Sequence, residues 1–593
     1  MNTYVPPLRD IRFVLEDMLE LPSVWADMGH YEGLDRETAS QIIEEAGRFA
    51  AEVLAPINSS GDLQGCTYDA GEVRCPDGYV DAYRSFVEGG WPALACVPEY
   101  GGQGLPNALN CAVLEMLCAA NHAWTMYPAL LHGAYACLLT HASDELKARY
   151  LPKIVSGEWL STMCLTEPHA GSDLGLLRTR AEPNGDGTYA ITGNKIFISG
   201  GEHDLTPNIV HLVLARLPDA PAGTRGISLF LVPKFLPEEE GGGRNAVYCD
   251  GIEKKMGIKG SATCAMRFDK ARGWLVGEPN RGLNAMFVMM NAARLQVAMQ
   301  GVAHAEAAHA RALRYAHERV QSRAPVRPEG TTQPADPIVL HPAIRRKLLY
   351  QRCMVEGGRA LAYWAGATLD MAEHGPTPEQ RAVAEKRVSI LTPILKSFLT
   401  DMGWSVASDA LQIFGGYGYI HEYGAEQNVR DIRIAMIYEG TNEIQAIDLI
   451  QRKVLADGGA AFGLLLDEVA GFAHSRAAHE AVAEHAAALQ QYVEGLRARV
   501  DMLLTGVPHD HELPYRVADD FLRAAALVLF GYMWLRAEVV ARKQLQAGND
   551  DGFLAAKCDN AAYFFRYILP EVKYLFERIE NGRAPLPQVG LPA

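Results

Sequence analysis

The spacing of hydrophobic residues along the chain changes at about residue 158 and again at about residue 281. These two changes constrain the fold more than any other feature of the sequence. Before the first change, runs such as "NALNCAVLEMLCAAN" show apolar residues at helical spacing. Between the two changes, "NIVHLVLARL" and "GISLFLVP" are typical of strands separated by Pro- and Gly-containing loops. After the second change, long helical patterns return and continue to the end. Because the chain has 593 residues, we expect several packed domains rather than one core.

These patterns predict an α+β multidomain protein in which helices precede and follow a small β region. The predicted segments are an N-terminal extension (1–34), an N-terminal helical domain (35–157), a middle β domain (158–280), a domain of long helices (281–456) and an extra C-terminal helical domain (461–593). Within the β domain, "TYAITGNKIFISG" predicts two strands joined by a Gly193-Asn194 turn, since Asn and Gly favour tight hairpins.

Composition excludes some classes of function. The net charge of −16 argues against a nucleic-acid partner unless a local basic face exists, and between residues 461 and 593 Lys and Arg are interspersed with Asp, Glu and His without a K/R-rich run. We find no apolar run of membrane-spanning length and no signal-peptide profile. The eleven cysteines, Cys66 to Cys558, show no C-x-x-C spacing and indicate reduced thiols without a metal site. These features predict a cytoplasmic protein.

Three short stretches could each carry a site, and each also has a structural explanation. The turn "MCLTEPHAGSD" could present the hydroxyls of Thr166 and Ser172 to a planar polar ligand, or could simply be a structured turn. Phe197 and Ser199 lie two apart on a predicted strand, so both should point to one side and could flank a flat ring. The glycines of "QIFGGYGY" permit close backbone approach or a helix terminus, but do not form a dinucleotide-binding G-x-G-x-x-G.

A fourth stretch, "MIYEGTNEIQ", places Glu439 between an apolar run and Gly-Thr. A carboxylate at such a junction could cap a helix, pair with a cation or act as a base. The residues alone leave these three roles open.

Taken in order, six blocks make the chain resemble the acyl-CoA dehydrogenase family of flavoproteins from about residue 35 to 455. They are "PEYGGQG", "CLTEPHAGSD", "KIFISGG", "KKMGIKGSAT", "QIFGGYGY" and "IYEGTNEIQ". The extra C-terminal helices are similar to those of the longer bacterial branch, which is 3-methylmercaptopropionyl-CoA dehydrogenase-like. The resemblance implies a β-barrel-like middle domain and a C-terminal four-helix bundle.

The resemblance implies that Glu439 is the catalytic base of an FAD-dependent α,β-dehydrogenation of an acyl-CoA thioester. Such a base removes the α-proton while the flavin accepts the β-hydride. Because an α-proton of a thioester is weakly acidic, the site must stabilise the developing enolate oxygen and exclude water. In the family the thioester oxygen is held by the backbone N–H of this Glu and by a ribityl hydroxyl of FAD.

Further site residues follow from the resemblance by position. The expected contacts to FAD are Leu165, Thr166, Phe197, Ser199, Arg319, Gln412, Gly416, Thr441 and Glu443. The expected contacts to substrate are Ser172, Arg294 and Gly440. Glu443 departs from the Gln or Gly that many relatives have, and a carboxylate is poorly suited to an anionic pyrophosphate.

The resemblance also implies partners and a place in metabolism. Electrons should pass to electron-transfer flavoprotein during fatty acid β-oxidation, and an FAD site shared between subunits implies at least a homodimer. The helices of 461–593 should cover the face that shorter relatives use to form tetramers. The alternatives are an acyl-CoA oxidase that uses O₂, a DNA-binding relative with little activity and a catalytically inactive scaffold. We expect a straight-chain acyl-CoA as substrate, with 3-methylmercaptopropionyl, branched and aryl acyl groups as alternatives.

Overall fold

The computed structural model describes residues 4–549 and 552–590, apart from the side chain of Glu240. The nine strands of the described residues are β1 Thr67–Asp69, β2 Glu72–Arg74, β3 Trp159–Cys164, β4 Arg180–Pro183, β5 Tyr189–Ser199, β6 Asn208–Ala215, β7 Ser228–Pro233, β8 Val247–Ile252 and β9 Thr263–Val276.

The α-helices of the described residues lie before β1, between β2 and β3, and after β9. They are α1 Leu8–Arg12, α2 Leu21–Met28, α3 Arg36–Phe49, α4 Asn58–Gln64, α5 Tyr79–Glu88, α6 Asn107–His141, α7 Asp144–Val155, α8 Gly282–Glu318, α9 Pro342–His374, α10 Pro378–Phe414, α11 Ala425–Ile432, α12 Asn442–Asp448, α13 Ala460–Arg476, α14 Ala483–Gly506, α15 Leu513–Gln546, α16 Phe553–Tyr563 and α17 Glu571–Asn581. The predicted α+β multidomain class is confirmed.

The chain divides into two compact units. The sheet unit is built mainly from residues 45–106 and 116–296, and the helical unit from residues 7–44, 107–115 and 297–590. Each unit has its own buried core.

The sheet unit is organised by a seven-stranded mixed sheet in the order β3-β6-β7-β9-β5-β4, with β8 paired to β9. The long strand β9 pairs with β5 along one edge, and with β8 and then β7 along the other. The pairing of β3 with β6 is parallel, and the other pairs in this sheet are antiparallel. Strands β6 and β7 are buried throughout, which explains why their sequences are mostly apolar and do not alternate with polar residues.

The predicted hairpin at Gly193-Asn194 is wrong. Strand β5 continues through both residues, because Gly193 pairs with Phe268 and Asn194 with Arg267 of β9. Packing, and not a turn, accounts for the glycine at this position. A Cβ at position 193 would lie 2.4 Å from the hydroxyl oxygen of Thr179. Close approach of a neighbouring side chain therefore requires this glycine.

The helical unit contains the longest buried helices. Helix α15 is long and apolar enough to span a membrane by length and composition, but 83% of its apolar window is buried inside the protein. It is the central core helix of the C-terminal region and packs against α16 and α17.

A cluster of buried charges lies in the helical unit and joins segments that are far apart in sequence. Its centre is Arg359 on α9, which is 1% exposed and pairs with Asp10, Glu115 and Glu306. The full set, called the Arg359 cluster below, is Asp10, Glu115, Glu306, Glu356, Arg359, Tyr363 and Lys557. It brings the N-terminal extension and the added C-terminal helices to one buried point.

Candidate active site

Glu439 lies in a tight turn just before α12, and its backbone is left-handed, with φ of 58°. A non-glycine residue rarely adopts this region, and such strain accumulates at functional positions when the surroundings enforce it. Gly440 follows with φ of 85°, and Thr441 caps α12 by accepting a hydrogen bond from the N–H of Ile444. The half-buried Glu439 is therefore presented by two consecutive left-handed residues.

Buried polar side chains hold this turn from beneath. The ammonium group of Lys396, 0% exposed on α10, donates to the carbonyl of Gly440 at 2.6 Å and to Oδ1 of Asn442 at 2.9 Å. The side-chain amide of Gln445, also 0% exposed, donates to the carbonyl of Glu439 at 3.1 Å. Both carbonyls of the turn thus have a donor, and the strained conformation is stabilised.

Asn442 connects the turn further to α10. Its amide donates to the carbonyl of Ser397 at 3.1 Å, to the hydroxyl of Thr400 at 3.0 Å and to the carboxylate of Asp401 at 2.8 Å. Sequence reasoning missed Lys396 and these partners. A lysine inside the apolar run "ILTPILKSFLT" was the available signal, because an unpaired lysine is almost never fully buried.

The predicted residues Leu165, Thr166, Phe197 and Ser199 are brought together in the sheet unit. The carbonyl of Thr166 accepts from the N–H of Ile196 at 2.9 Å, beside Phe197. Phe197 is 60% exposed and has φ of 58°, at a register shift between Lys195 and Ile198 where β5 bulges. The two-residue alternation that placed Phe197 and Ser199 on one side does not hold across this bulge. The bulge instead turns a large aromatic ring toward solvent.

A buried ion pair fixes the loop that carries Leu165 and Thr166. Lys195, 0% exposed, donates to the carbonyl of Leu165 at 3.0 Å and to the carboxylate of Glu167 at 2.9 Å. Glu167 also accepts from the hydroxyl of Thr179 at 2.6 Å. Burial by itself raises the pKa of Glu167, but the charge of Lys195 and these hydrogen bonds outweigh burial and leave that pKa lowered. Sequence reasoning did not single out this pair.

The three predicted substrate residues lie in different parts of the chain. Ser172 is exposed, and its neighbour Asp173 caps the short turn at 174–176, which agrees with the structural explanation of that stretch. Arg294 on α8 is half-buried and donates to Oδ1 of Asn291 at 3.3 Å. Gly440 belongs to the turn of Glu439. Ser172 and Arg294 belong to the sheet unit and Gly440 to the helical unit, so the three residues do not lie within one unit.

Arg319, Gln412 and Gly416 form a second group, in the helical unit. The guanidinium of Arg319 lies 5.4 Å from the ring centre of Tyr417. Gln412 and Gly416 are exposed at the end of α10, and a Cβ at position 416 would meet open space. The aromatic side chains around them are unusually exposed: Tyr417 by 42% and Tyr419 by 83%.

Glu443 is exposed on α12, and its charge raises the pKa of the half-buried Asp401 on α10 and of Asp519 on α15. For both aspartates burial is the larger cause. Glu443 therefore lies among other carboxylates, which disfavours an anionic pyrophosphate at the same place.

The chemistry of the two groups fits the parts of FAD. An exposed aromatic ring close along the backbone to the hydroxyl-bearing Thr166 and Ser199 suits a flat polar ring system. A cation at Arg319, next to glycine backbone that can be approached closely, suits a pyrophosphate. Among the predicted FAD contacts, Glu443 on α12 is the one whose charge conflicts with that cofactor.

Sequence models of four domains match nearly the whole chain. They are the acyl-CoA dehydrogenase N-terminal domain (36–158), middle domain (162–271) and C-terminal domain (280–455), and an acetyl-CoA dehydrogenase C-terminal-like domain (465–589). The chain is 44% identical to a 3-methylmercaptopropionyl-CoA dehydrogenase of Ruegeria pomeroyi over 98% of both chains. It is 32% identical to a butyryl-CoA dehydrogenase of Syntrophomonas wolfei over 96% of both.

Among solved structures, an acyl-CoA dehydrogenase of Bacillus anthracis complexed with FAD has the same fold. Its TM-score is 0.73 at 21% identity, covering 93% of this chain and 88% of that one. The predicted family, class of enzyme and cofactor are confirmed. The chain belongs to the acyl-CoA dehydrogenase family and is an FAD-dependent oxidoreductase that dehydrogenates acyl-CoA thioesters.

Proposed function

We propose that Glu439 is the base that removes the α-proton of the acyl-CoA thioester. The observation that carries this proposal is the turn itself: a carboxylate residue at φ of 58°, whose carbonyl and that of Gly440 are held by fully buried donors. A helix cap or a surface ion pair would need neither the strain nor the buried Lys396. FAD, when bound, would supply the acceptor for the β-hydride, and Phe197 with the hydroxyl-bearing Thr166 and Ser199 would hold its ring.

The remaining residues position and protect this proton transfer. Lys396 and Gln445 fix the two carbonyls of the turn, so the direction of the Glu439 side chain is set before substrate arrives. The backbone N–H of Glu439 is the proposed donor to the thioester oxygen, where negative charge develops as the proton leaves. The exposed Phe197 and the adjacent hydroxyls form the proposed wall for the flavin ring.

Replacing Glu439→Gln tests the base. We expect FAD to stay bound while the rate of flavin reduction by acyl-CoA, measured without oxygen, falls by about 10²–10⁴-fold. The matched control is Glu385→Gln, an exposed carboxylate on α10 whose loss should change nothing. A Glu439→Gln enzyme that is reduced at the normal rate would exclude this residue as the base.

For the substrate, we propose a short unbranched acyl-CoA, with 3-methylmercaptopropionyl-CoA included in that class. The similarity to relatives with those names over nearly the full chain supports this proposal. Butyryl-, 3-methylmercaptopropionyl-, octanoyl- and palmitoyl-CoA can be compared by kcat/KM. A maximum of kcat/KM at palmitoyl-CoA would contradict the proposal of a short acyl group.

Electron-transfer flavoprotein is the proposed electron acceptor, within fatty acid β-oxidation in the cytoplasm. The eleven cysteines are all free, which suits a reducing compartment. Reduced enzyme mixed with electron-transfer flavoprotein should be reoxidised much faster than by O₂. Fast peroxide release with O₂ would favour the oxidase instead.

A homodimer that shares each FAD site between subunits is the proposed assembly. The exposed aromatic side chains beside Arg319 and Gly416 support a covered surface there, because contiguous exposed apolar groups mark interaction sites. Light scattering should give a dimer, and Tyr419→Asp should yield monomer that loses FAD. A tetramer would contradict the proposal that the added C-terminal helices cover the second interface.

A further inference from the structure

Two cysteines outside the proposed site lie directly opposite each other at the base of a small hairpin. Strands β1 and β2 are antiparallel, with Thr67 opposite Arg74, so the next pair in this register is Cys66 and Cys75. Neither backbone N–H bonds the other strand: that of Cys66 donates to the carbonyl of Lys259 and that of Cys75 to Asp204. In such non-hydrogen-bonded pairs the Cα atoms are about 4.5 Å apart, within the range that a disulfide spans.

The two thiols already contact the same groups. Their sulfurs lie 3.5 Å and 3.3 Å from the hydroxyl oxygen of Tyr127. The Cys66 thiol also donates to the carbonyl of Gly260 at 3.2 Å. No large backbone movement is needed to bring the sulfurs together.

The pair is chemically asymmetric, as an oxidisable pair should be. The hydrogen bond from Cys75 lowers the pKa of Cys66, and Tyr127 and the charge of Lys255 lower it further against the effect of burial. The hydrogen bond to Cys66, followed by burial, raises the pKa of Cys75. Cys66 is half-buried and Cys75 is 8% exposed. Cys66 is thus the accessible nucleophile and Cys75 the partner behind it.

We propose that Cys66 and Cys75 form a reversible disulfide when the protein meets hydrogen peroxide. The Cys66 thiolate attacks the peroxide, the O–O bond breaks, and Cys66 becomes a sulfenic acid as one water is released. The Cys75 thiol then attacks that sulfur, the S–S bond forms and a second water leaves. Two thiols lose two electrons and two protons, and hydrogen peroxide becomes two molecules of water. A dithiol reductant reverses the change by thiol–disulfide exchange.

The pair is connected to the proposed flavin wall through Tyr127. The Tyr127 hydroxyl accepts from the N–H of Ala262 at 2.8 Å, and the carbonyl of Ala262 accepts from the N–H of Gly200 at 2.9 Å, directly after Ser199. The Tyr127 ring also packs on Gly200, where a Cβ would lie 3.4 Å from the ring. Disulfide formation removes the thiol donor to the Tyr127 hydroxyl and the thiol donor to Gly260. Oxidation should therefore weaken FAD binding. This effect on FAD rests on the proposed function, whereas the formation of the disulfide does not depend on it.

Mass spectrometry tests the disulfide directly. Because Arg74 lies between the two cysteines, trypsin places them in separate peptides, 49–74 and 75–84, which only a disulfide can hold together. Purified holoenzyme treated with hydrogen peroxide should give the linked pair with the loss of two hydrogen masses, reversibly with dithiothreitol. Cys75→Ser should not give it. Free thiols at both positions after treatment, or irreversible oxidation of Cys66 alone, would overturn the proposal.

A second thiol pair is a built-in control. The thiols of Cys249 and Cys264 also shift each other's pKa, but they are 2% and 0% exposed. Burial should protect them, so their peptides, 245–254 and 260–267, should stay unlinked at peroxide levels that link Cys66 to Cys75. If Cys249 and Cys264 become linked at the same or a lower peroxide concentration, solvent exposure does not decide which thiol pair is oxidised, and that part of the proposal is overturned.

The link to the flavin is tested by the Kd for FAD of oxidised and re-reduced protein. We expect oxidation to weaken FAD binding about two- to ten-fold, the effect of losing one or two hydrogen bonds, with recovery on reduction. Peroxide treatment should not change the Kd for FAD of the double variant Cys66→Ser/Cys75→Ser or of Tyr127→Phe. An unchanged Kd in a protein whose disulfide has formed would overturn the coupling, and failure to bind FAD in either state would instead refute the proposed flavin wall.

Discussion

The sheet unit and the helical unit each bury a group of charges, and the two groups are built differently. In the sheet unit one carboxylate, Glu167, faces one ammonium group, Lys195, and the remaining carboxylate bonds come from neutral donors. The Arg359 cluster instead has four buried carboxylates around the two fully buried cations Arg359 and Lys557.

The two groups of buried charges stabilise different parts of the molecule. The balanced pair holds one loop, the one that carries Leu165 and Thr166, at the proposed flavin wall. The Arg359 cluster joins α1, α6, α8, α9 and α16, and so ties both ends of the chain to the central helices. One group positions a site, and the other holds an architecture together.

The largest expected effect is on stability, from Arg359→Met. Removing the guanidinium leaves Asp10, Glu115 and Glu306 without their shared cation, and breaking a buried pair typically costs about 3–5 kcal/mol. We expect a lower denaturant midpoint for the helical unit, compared with the exposed control Arg345→Met on the same helix. Equal midpoints for the two variants would mean that the cluster does not hold the architecture.

Lys195→Met should show most clearly that the Glu167–Lys195 pair and the Arg359 cluster have different roles. The variant leaves the buried carboxylate of Glu167 without its cation and the carbonyl of Leu165 without the ammonium donor. We expect loss of FAD, seen as colourless purified protein, while the helical unit unfolds at its normal denaturant concentration. Glu167→Gln, which keeps an acceptor for Lys195, should retain more FAD. If Lys195→Met destabilises the helical unit as much as Arg359→Met does, the two groups do not differ in role.

The excess of carboxylates in the Arg359 cluster should be visible in the pH dependence of stability. Burial raises the pKa of Glu115 more than Arg359 lowers it, so the folded protein holds this proton more tightly than the unfolded chain. Stability from Glu115 is therefore lost as pH rises through its folded pKa. Thermal unfolding of Glu115→Gln across pH should lack that decline, and an identical slope in both proteins would contradict it.

Asp10 should respond to pH in the opposite sense. Burial raises its pKa, but the charges of Lys557 and Arg359 outweigh burial and leave it lowered. Stability from Asp10 is present above the ordinary carboxyl range and is lost as pH falls through its folded pKa. Asp10→Asn should therefore be less sensitive to acid than the parent protein, as measured by the same thermal series.

The smallest expected effect comes from an exposed pair. Arg497 and Asp467 lie 2.6 Å apart, but 32% and 63% of their side chains are exposed. Arg497→Ala should change the free energy of unfolding by no more than about 0.5 kcal/mol, since water already solvates both charges. A loss as large as that of Arg359→Met would show that burial is not what separates strong from weak pairs here.

Much of the architecture could be predicted because it depends on local periodicity. The strand runs at 208–215 and 228–233 and the long helices have apolar patterns that only one kind of element satisfies. The hairpin at Gly193-Asn194 was wrong because a dipeptide signal is local, whereas close packing against Thr179 decides the conformation of Gly193. The bulge at Phe197 was missed for a similar reason: one extra residue in a strand leaves no mark on its composition.

By itself, the sequence determined the order of domains, the family and the position of the candidate base Glu439. These depend on residue types at fixed spacing along the chain. Only the tertiary structure decided that Lys396 and Gln445 hold the turn, that Lys195 pairs with Glu167, and that Cys66 lies against Cys75 and Tyr127. The physical reason is that a buried polar group must find a partner, and which partner it finds depends on how distant segments pack.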